Sequence, residues 1–187
     1  MDIHHYFSQF SGILQRFLDQ ADNHAALKRA TALLEGTRNN GARIHLLGNG
    51  GSAAIAEHMA IDLTKNAGLR ALAPASAATL TCLANDLGYE QAYARIITAY
   101  GAPGDVLVAI SSSGTSRNIL AAVAVAKERG MAVITLSGFG ADNPLRTLGE
   151  VNLWIDSHSY GYVEILHNLL IHYMNDAIIG RTEYVIR

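Results

Sequence analysis

The chain has one cysteine, Cys82, in 187 residues, so no internal disulfide framework can hold it together. It also lacks an excess of either charge: 14 basic against 16 acidic residues leave a formal net charge of −2. Such a balance gives no electrostatic reason to expect nucleic acid or an anionic membrane as a partner, and any phosphate ligand has to be caught locally. No run approaches about 18 uninterrupted apolar residues, because Gly, Ser, Asp or Lys breaks the greasiest stretches, and no membrane span is expected. The opening Met1-Asp2-Ile3-His4-His5 lacks the basic and apolar regions of a signal peptide, so the expected compartment is the cytoplasm. There is no internal repeat and no low-complexity linker. Neither G-x-G-x-x-G nor G-K-[ST] occurs, so no loop suggests nicotinamide or ATP.

What is present is apolar substance in a regular order. Half of the residues are hydrophobic, which suits one compact α/β domain over residues 1–187, with helices through residue 40 and an α/β core from 41 onward. From Tyr6 to about Asn39 apolar residues recur at three- and four-residue steps (Phe7, Phe10, Ile13, Leu14, Phe17, Leu18), with a polar break at Asp22-Asn23-His24. This predicts two amphipathic helices. Short apolar runs at 43–47, 105–110, 131–136 and 151–155, with a further one at 69–73, read as strands. Helical patterns follow at 52–66, 77–84, 90–100, 118–129 and 160–179, the last with Val163, Leu166, Leu170, Tyr173 and Ala177 on one side. Strands alternating with helices imply right-handed crossovers. The expected fold class is therefore a doubly wound α/β domain with a mostly parallel five-stranded sheet flanked by helices.

In such sheets ligands bind beyond the carboxyl ends of the strands, where loop N–H groups and helix N-termini attract anions. The turn Ser111-Ser112-Ser113-Gly114-Thr115-Ser116 packs five hydroxyls and a glycine between a buried strand and a helix. Hydroxyls donate to phosphate oxygens, and Ser116 or Thr115 can cap the helix. A single cap would need only one of them. The second loop, Gly48-Asn49-Gly50-Gly51-Ser52, is the weaker signal alone, since glycine turns after strands are common. Beside the serine turn, its backbone with Asn49 and Ser52 can take sugar hydroxyls.

On both loops together the chain resembles the SIS (sugar isomerase) domain family, and within it the phosphoheptose isomerases, which interconvert sedoheptulose 7-phosphate and a heptose 7-phosphate for lipopolysaccharide and polysaccharide synthesis. The resemblance rests on Gly48-Asn49-Gly50-Gly51-Ser52 with His58, on Asn85-Asp86-Leu87-Gly88, on the serine turn, and on Glu164, His167 and His172 in the closing helix. It implies that Ser111, Ser112, Ser113 and Ser116 hold phosphate while Asn49, Gly50, Gly51, Asn85 and Asp86 line the sugar. It also implies an intramolecular oxidoreductase, a homotetramer with sites near subunit interfaces and, in many members, zinc. At the matching positions the family carries histidine for His58, glutamate for Asp62, glutamine for Glu164 and histidine for His172, so two of the four depart from its pattern.

His58 and Asp62, four apart, share a helix face. Glu164 and His172, eight apart, lie about 80° from each other around the last helix. Two imidazoles and two carboxylates make a zinc set of His58, Asp62, Glu164 and His172; the alternative is that the histidines are hydrogen-bonded structure and Glu164 favours the helix dipole. Aldose–ketose exchange through an enediol needs a base, an acid and stabilisation of oxyanion charge. The expected catalytic residues are Asp62 or Glu164 at carbon and His172 at oxygen, with zinc polarising the carbonyl. Two other readings stay open: a non-catalytic SIS protein that binds a sugar phosphate or another protein, as the members that assist the replication initiator do, and an isomerase of a different sugar phosphate. His4, His5 and His24 read as helix surface, His45 as part of a strand, His158 as loop and Cys82 as a small core residue.

Overall fold

The computed structural model describes residues 2–74 and 76–183. Two helices, α1 (Ile3–Leu18) and α2 (Ala21–Asn40), precede an alternation of β1 (Ile44–Leu47), α3 (Gly51–Lys65), β2 (Ala71–Leu72), α4 (Ala77–Leu87), α5 (Tyr89–Tyr100), β3 (Val106–Ser111), α6 (Arg117–Glu128), β4 (Ala132–Ser137), a 3-10 turn (Pro144–Thr147), β5 (Val151–Trp154) and α7 (Tyr160–Ile179). The five strands are parallel in the order β2-β1-β3-β4-β5. That is the doubly wound sheet the sequence predicts. The order reverses between β1 and β3, so the crevice beyond their carboxyl ends is the topological switch point.

Strand side chains divide between the two faces, as a two-residue period requires. Ile44, Leu46, Val106, Val108 and Ile110 join the core under α2, α3 and α7. Leu47, Leu107 and Ala109 join the core under α5 and α6. Every residue of β3 is buried, which explains its unbroken apolar run. At its amino end Asp105 accepts the Arg43 N–H on Oδ1 at 2.8 Å and the Ala102 N–H on Oδ2 at 3.1 Å, and Oδ2 also lies 3.0 Å from the buried His45 Nε2. Burial lowers the His45 pKa, against the pull of Asp105.

Several expectations shift in detail. The break between the first helices falls at Asp19 and Gln20 rather than at Asp22-Asn23-His24. Asp22 sits in the first turn of α2, where a carboxylate meets the positive end of the dipole. Asn23 donates to the Phe17 carbonyl at 2.9 Å and His24 lies 2.6 Å from the Leu18 carbonyl, so these polar residues close the end of α1. Cys82 is exposed on α4, 3.7 Å from Asp86, and is not a core residue; α4 buries no residue fully. Along α7, Val163, Leu166 and Leu170 are buried, but the buried stripe continues through Ile171 and Met174. Tyr173 and Ala177 are exposed. Among the described residues no helix is long and apolar enough to cross a membrane.

His167 is fully buried on α7 and bonds the Ser137 carbonyl at 3.0 Å, pinning the helix to the end of β4. Burial pushes its pKa down to about 4, although the bond to Ser137 opposes the shift. Between the ordinary imidazole value of about 6.5 and that folded value, the unfolded chain binds a proton that the folded chain refuses. Stability from this residue is therefore complete above about pH 6.5 and falls as the pH drops toward 4. Urea unfolding should lose about 2–3 kcal/mol between pH 7 and 4.5 through His167 alone, and His167→Gln should show a pH loss smaller by that amount. Equal pH slopes for the two proteins would contradict the assignment.

Candidate functional site

The serine turn begins inside β3, whose last residue is Ser111, so its start is held by the sheet. The Ser111 hydroxyl donates to Ser116 Oγ at 3.0 Å, and the Gly114 N–H closes the turn on the Ser111 carbonyl at 3.0 Å. The Ser113 and Thr115 hydroxyls lie 3.0 Å apart. Ser116 occupies the N-cap position of α6 but makes no side-chain cap bond, so the turn is not merely a helix cap. Ser112 Oγ is buried with no hydrogen-bond partner. A buried hydroxyl left unmatched costs about 1–3 kcal/mol, which an incoming oxygen would recover.

A second loop braces this turn. Asn143, buried between β4 and the 3-10 turn, donates to the carbonyls of Gly138 at 3.1 Å and Gly140 at 2.8 Å and accepts the Arg146 N–H at 3.0 Å. Its side chain lies where a Cβ on Gly114 would be, and Gly114 has φ +67°. The Leu145 N–H bonds the Gly114 carbonyl at 3.1 Å and the Gly138 N–H bonds the Ser112 carbonyl at 2.9 Å. Glycine at 114 is thus required twice, by conformation and by space.

The glycine turn arrives alongside at the end of β1. Asn49, Ser52, Ile110, Ser111, Ser112, Ser113, Ser116, Tyr160 and Glu164 line a cavity of about 130 Å³. That is below the roughly 300 Å³ at which pockets begin to enclose a drug-sized ligand, so it takes one group of a molecule. No lysine or arginine lines it. Tyr93, buried on α5, donates its hydroxyl to the Gly48 carbonyl. Burial, with Tyr89 and Glu57 adding to it, raises the Tyr93 pKa to about 12, so this hydroxyl remains a donor at any ordinary pH.

Next to this cavity a second one, of about 240 Å³, opens between α3 and α7. Gly51, His58, Glu164 and Asn168 are among its walls, so Glu164 and the start of α3 border both spaces. The Glu164 carboxylate packs against Gly51 so closely that a Cβ there would collide with it. One turn further along the groove, His58 Nε2 lies 3.4 Å from Asp62 Oδ2 and His172 Nδ1 lies 3.9 Å from the same oxygen. One ligand atom from each of His58, Asp62 and His172 falls within 4.8 Å of the others. Zinc bonds of about 2.0–2.1 Å place tetrahedral ligand atoms roughly 3.4 Å apart, so the His58–Asp62 edge already fits and His172 must close in. Three protein ligands leave a fourth position open, the pattern of catalytic rather than structural sites.

Glu164 stands outside this trio, nearer the serines, and Asn85 and Asp86 lie exposed at the end of α4, lining neither cavity. Gly50 is exposed at φ +55° where α3 begins. Tyr89, Tyr93, Asn118, Asn143 and Tyr160, which no sequence motif singles out, touch or brace the loops from elsewhere in the chain.

Two cavities at the switch point of a 2-1-3-4-5 parallel sheet make this an α/β protein of the kind that binds a small anionic metabolite there. The SIS domain profile matches residues 5–138. Phosphoheptose isomerases from Thiobacillus denitrificans and Salmonella dublin are 39% and 34% identical to the chain, over 90% and 94% of both sequences. The solved phosphoheptose isomerase structure from Neisseria gonorrhoeae superposes with a TM-score of 0.86 at 32% identity, covering 95% of this chain and 97% of that one. The one from Francisella tularensis gives 0.85 at 28%, covering 96% and 97%. The chain belongs to the SIS domain family, in its phosphoheptose isomerase branch.

Replacing Gly114 with alanine forces a side chain into left-handed backbone and into Asn143. Gly114→Ala should lose roughly 1–3 kcal/mol of stability in chemical denaturation and bind inorganic phosphate more weakly. Unchanged stability and phosphate affinity would show that the brace does not hold the turn.

Proposed function

We propose that the protein interconverts sedoheptulose 7-phosphate and an aldoheptose 7-phosphate in the cytoplasm. The observation that carries this reading is the juxtaposition of a cationless, hydroxyl-lined cavity with an unpartnered buried Ser112 hydroxyl and a carboxylate–imidazole groove that shares Glu164 with it. The serine turn binds the phosphate, and this remote binding energy positions the reacting carbons in the α3–α7 groove.

Of the two carboxylates that the sequence left open as base, Glu164 borders both spaces, whereas Asp62 is engaged between two imidazoles. Glu164 takes the proton from the hydroxyl-bearing carbon beside the carbonyl and returns it to the neighbouring carbon, so the intermediate is an enediol and no net oxidation occurs. His172, with Nδ1 turned toward Asp62, has its Nε2–H left to donate to the substrate oxygen that gains charge as the enediol forms. His58, Asp62 and His172 would hold zinc, which supplies Lewis-acid polarisation of the carbonyl when bound. Glu164 in place of the family's glutamine then contributes a base rather than a fourth ligand.

Ile165, Leu169 and Tyr173 form an exposed stripe along α7, and Ile3, Phe7 and Leu18 are exposed on α1. Apolar area of this extent supports association of copies, and the family resemblance supports a homotetramer.

One preparation tests these assignments. His172→Ala should lose at least about a hundredfold in kcat, the scale of a general acid–base contribution, while still binding the sugar phosphate. Wild type should carry zinc that His58→Ala lacks, and light scattering should give a mass of four chains. An active His172→Ala enzyme sinks the proton-transfer assignment, a metal-free active wild type sinks the zinc site, and a monomer sinks the assembly.

A further inference from the structure

Asn49 lines the phosphate cavity, and a carboxamide there is ambiguous: turned one way it offers N–H donors, turned the other it offers carbonyl lone pairs that repel an anion. Three groups remove the ambiguity. The N–H of Ile119, in the first turn of α6, is shared between the Ser116 carbonyl and Asn118 Oδ1, each at 3.0 Å, which favours the orientation that puts the Asn118 oxygen on that side. So oriented, Asn118 Oδ1 accepts Asn49 Nδ2 at 2.9 Å and Asn118 Nδ2 donates to Asn49 Oδ1 at 2.9 Å. The Tyr89 hydroxyl, at the start of α5, donates to the same Asn49 Oδ1 at 2.7 Å. Both lone pairs of the Asn49 oxygen are then occupied and one of its two N–H groups is spent. A single N–H remains for a ligand.

We propose that Asn118 and Tyr89 are positioning residues that lock Asn49 as a hydrogen-bond donor only, so that it gives its remaining N–H to a phosphate oxygen. The inference rests on the reading of the serine turn as the phosphate site. The need for such a lock follows from the composition of the cavity. No lysine or arginine lines it, and Glu164 brings a carboxylate to one side, so an asparagine free to turn would place its carbonyl oxygen beside the anion. The lock also ties the loops after β1 and β3 together, because Asn49 follows one strand and Asn118 follows the other. Asn118 is buried and Tyr89 is half exposed, so the two can be tested with different risks to folding.

The test titrates inorganic phosphate into wild type, Tyr89→Phe, Asn118→Ala and the double variant, and measures KM and kcat for the sugar phosphate alongside thermal stability. Losing one hydrogen bond that aligns the donor should weaken phosphate binding about five- to tenfold in each single variant. KM should rise by the same factor, with kcat falling less than KM rises. Phosphate affinity within twofold of wild type in Tyr89→Phe and in any folded Asn118→Ala overturns the lock. So does an equal fall of kcat and stability with KM unmoved, which is the mark of a purely structural role. Should wild type itself fail to bind phosphate, the phosphate-site reading falls instead, and the two failures are told apart. Tyr89→Phe, at a half-exposed position, decides the question even where Asn118→Ala does not fold.

Discussion

An anion held without a lysine or arginine must be held by hydrogen-bond donors and helix N-termini alone, and those act only if they are aligned before the ligand arrives. That constraint organises the site. The serine turn offers hydroxyls that are not consumed by helix capping, and Ser112 Oγ waits unpartnered in the interior. Around it the protein spends side chains on bracing: buried Asn143 behind Gly114, buried Tyr93 on the Gly48 carbonyl, and buried Asn118 with half-exposed Tyr89 on Asn49. The braces come from α5, α6 and the loop after β4, so the geometry of the cavity depends on the α/β packing rather than on one loop.

The sheet makes this possible. β1 and β3 pair in register from Ile44 with Val106 to Leu47 with Ala109, so their following turns emerge at one level on either side of the switch point. α3 starts from the glycine turn and carries His58 and Asp62 away from the phosphate cavity, while α7 packs against it and carries Glu164 and His172. In the proposed reaction the phosphate and the reacting carbons are thereby separated along one groove, with Glu164 at the junction. The fixed distance between the two ends is what allows binding energy at the phosphate to serve chemistry further along.

Much of this was legible from the sequence because it is local. Continuous apolar runs gave the buried strands, hydroxyl density marked the turn after β3, and a four-residue spacing put His58 beside Asp62. What escaped is long-range. Nothing in the spacing of Tyr89 or Tyr93 says that their hydroxyls reach a loop 40 and 45 positions earlier, and Asn118 and Asn143 look like ordinary polar residues near a helix start. Periodicity told that Glu164 and His172 share a cleft, but not that two helical turns place Glu164 beside Gly51 and outside the cluster of His58, Asp62 and His172. The polar run at Asp22-Asn23-His24 marked a helix boundary correctly in kind but three positions late, because Asn23 and His24 close the preceding helix from inside the next one.

The central claim is that one molecule spans both cavities, its phosphate among the serines and its reacting carbons between α3 and α7. The most direct measurement is NMR of sedoheptulose 7-phosphate with the metal-analysed protein in deuterated water. The account predicts enzyme-dependent deuterium at the carbon beside the carbonyl together with an aldoheptose 7-phosphate. Saturable binding of the sugar phosphate with no deuterium incorporation would contradict it.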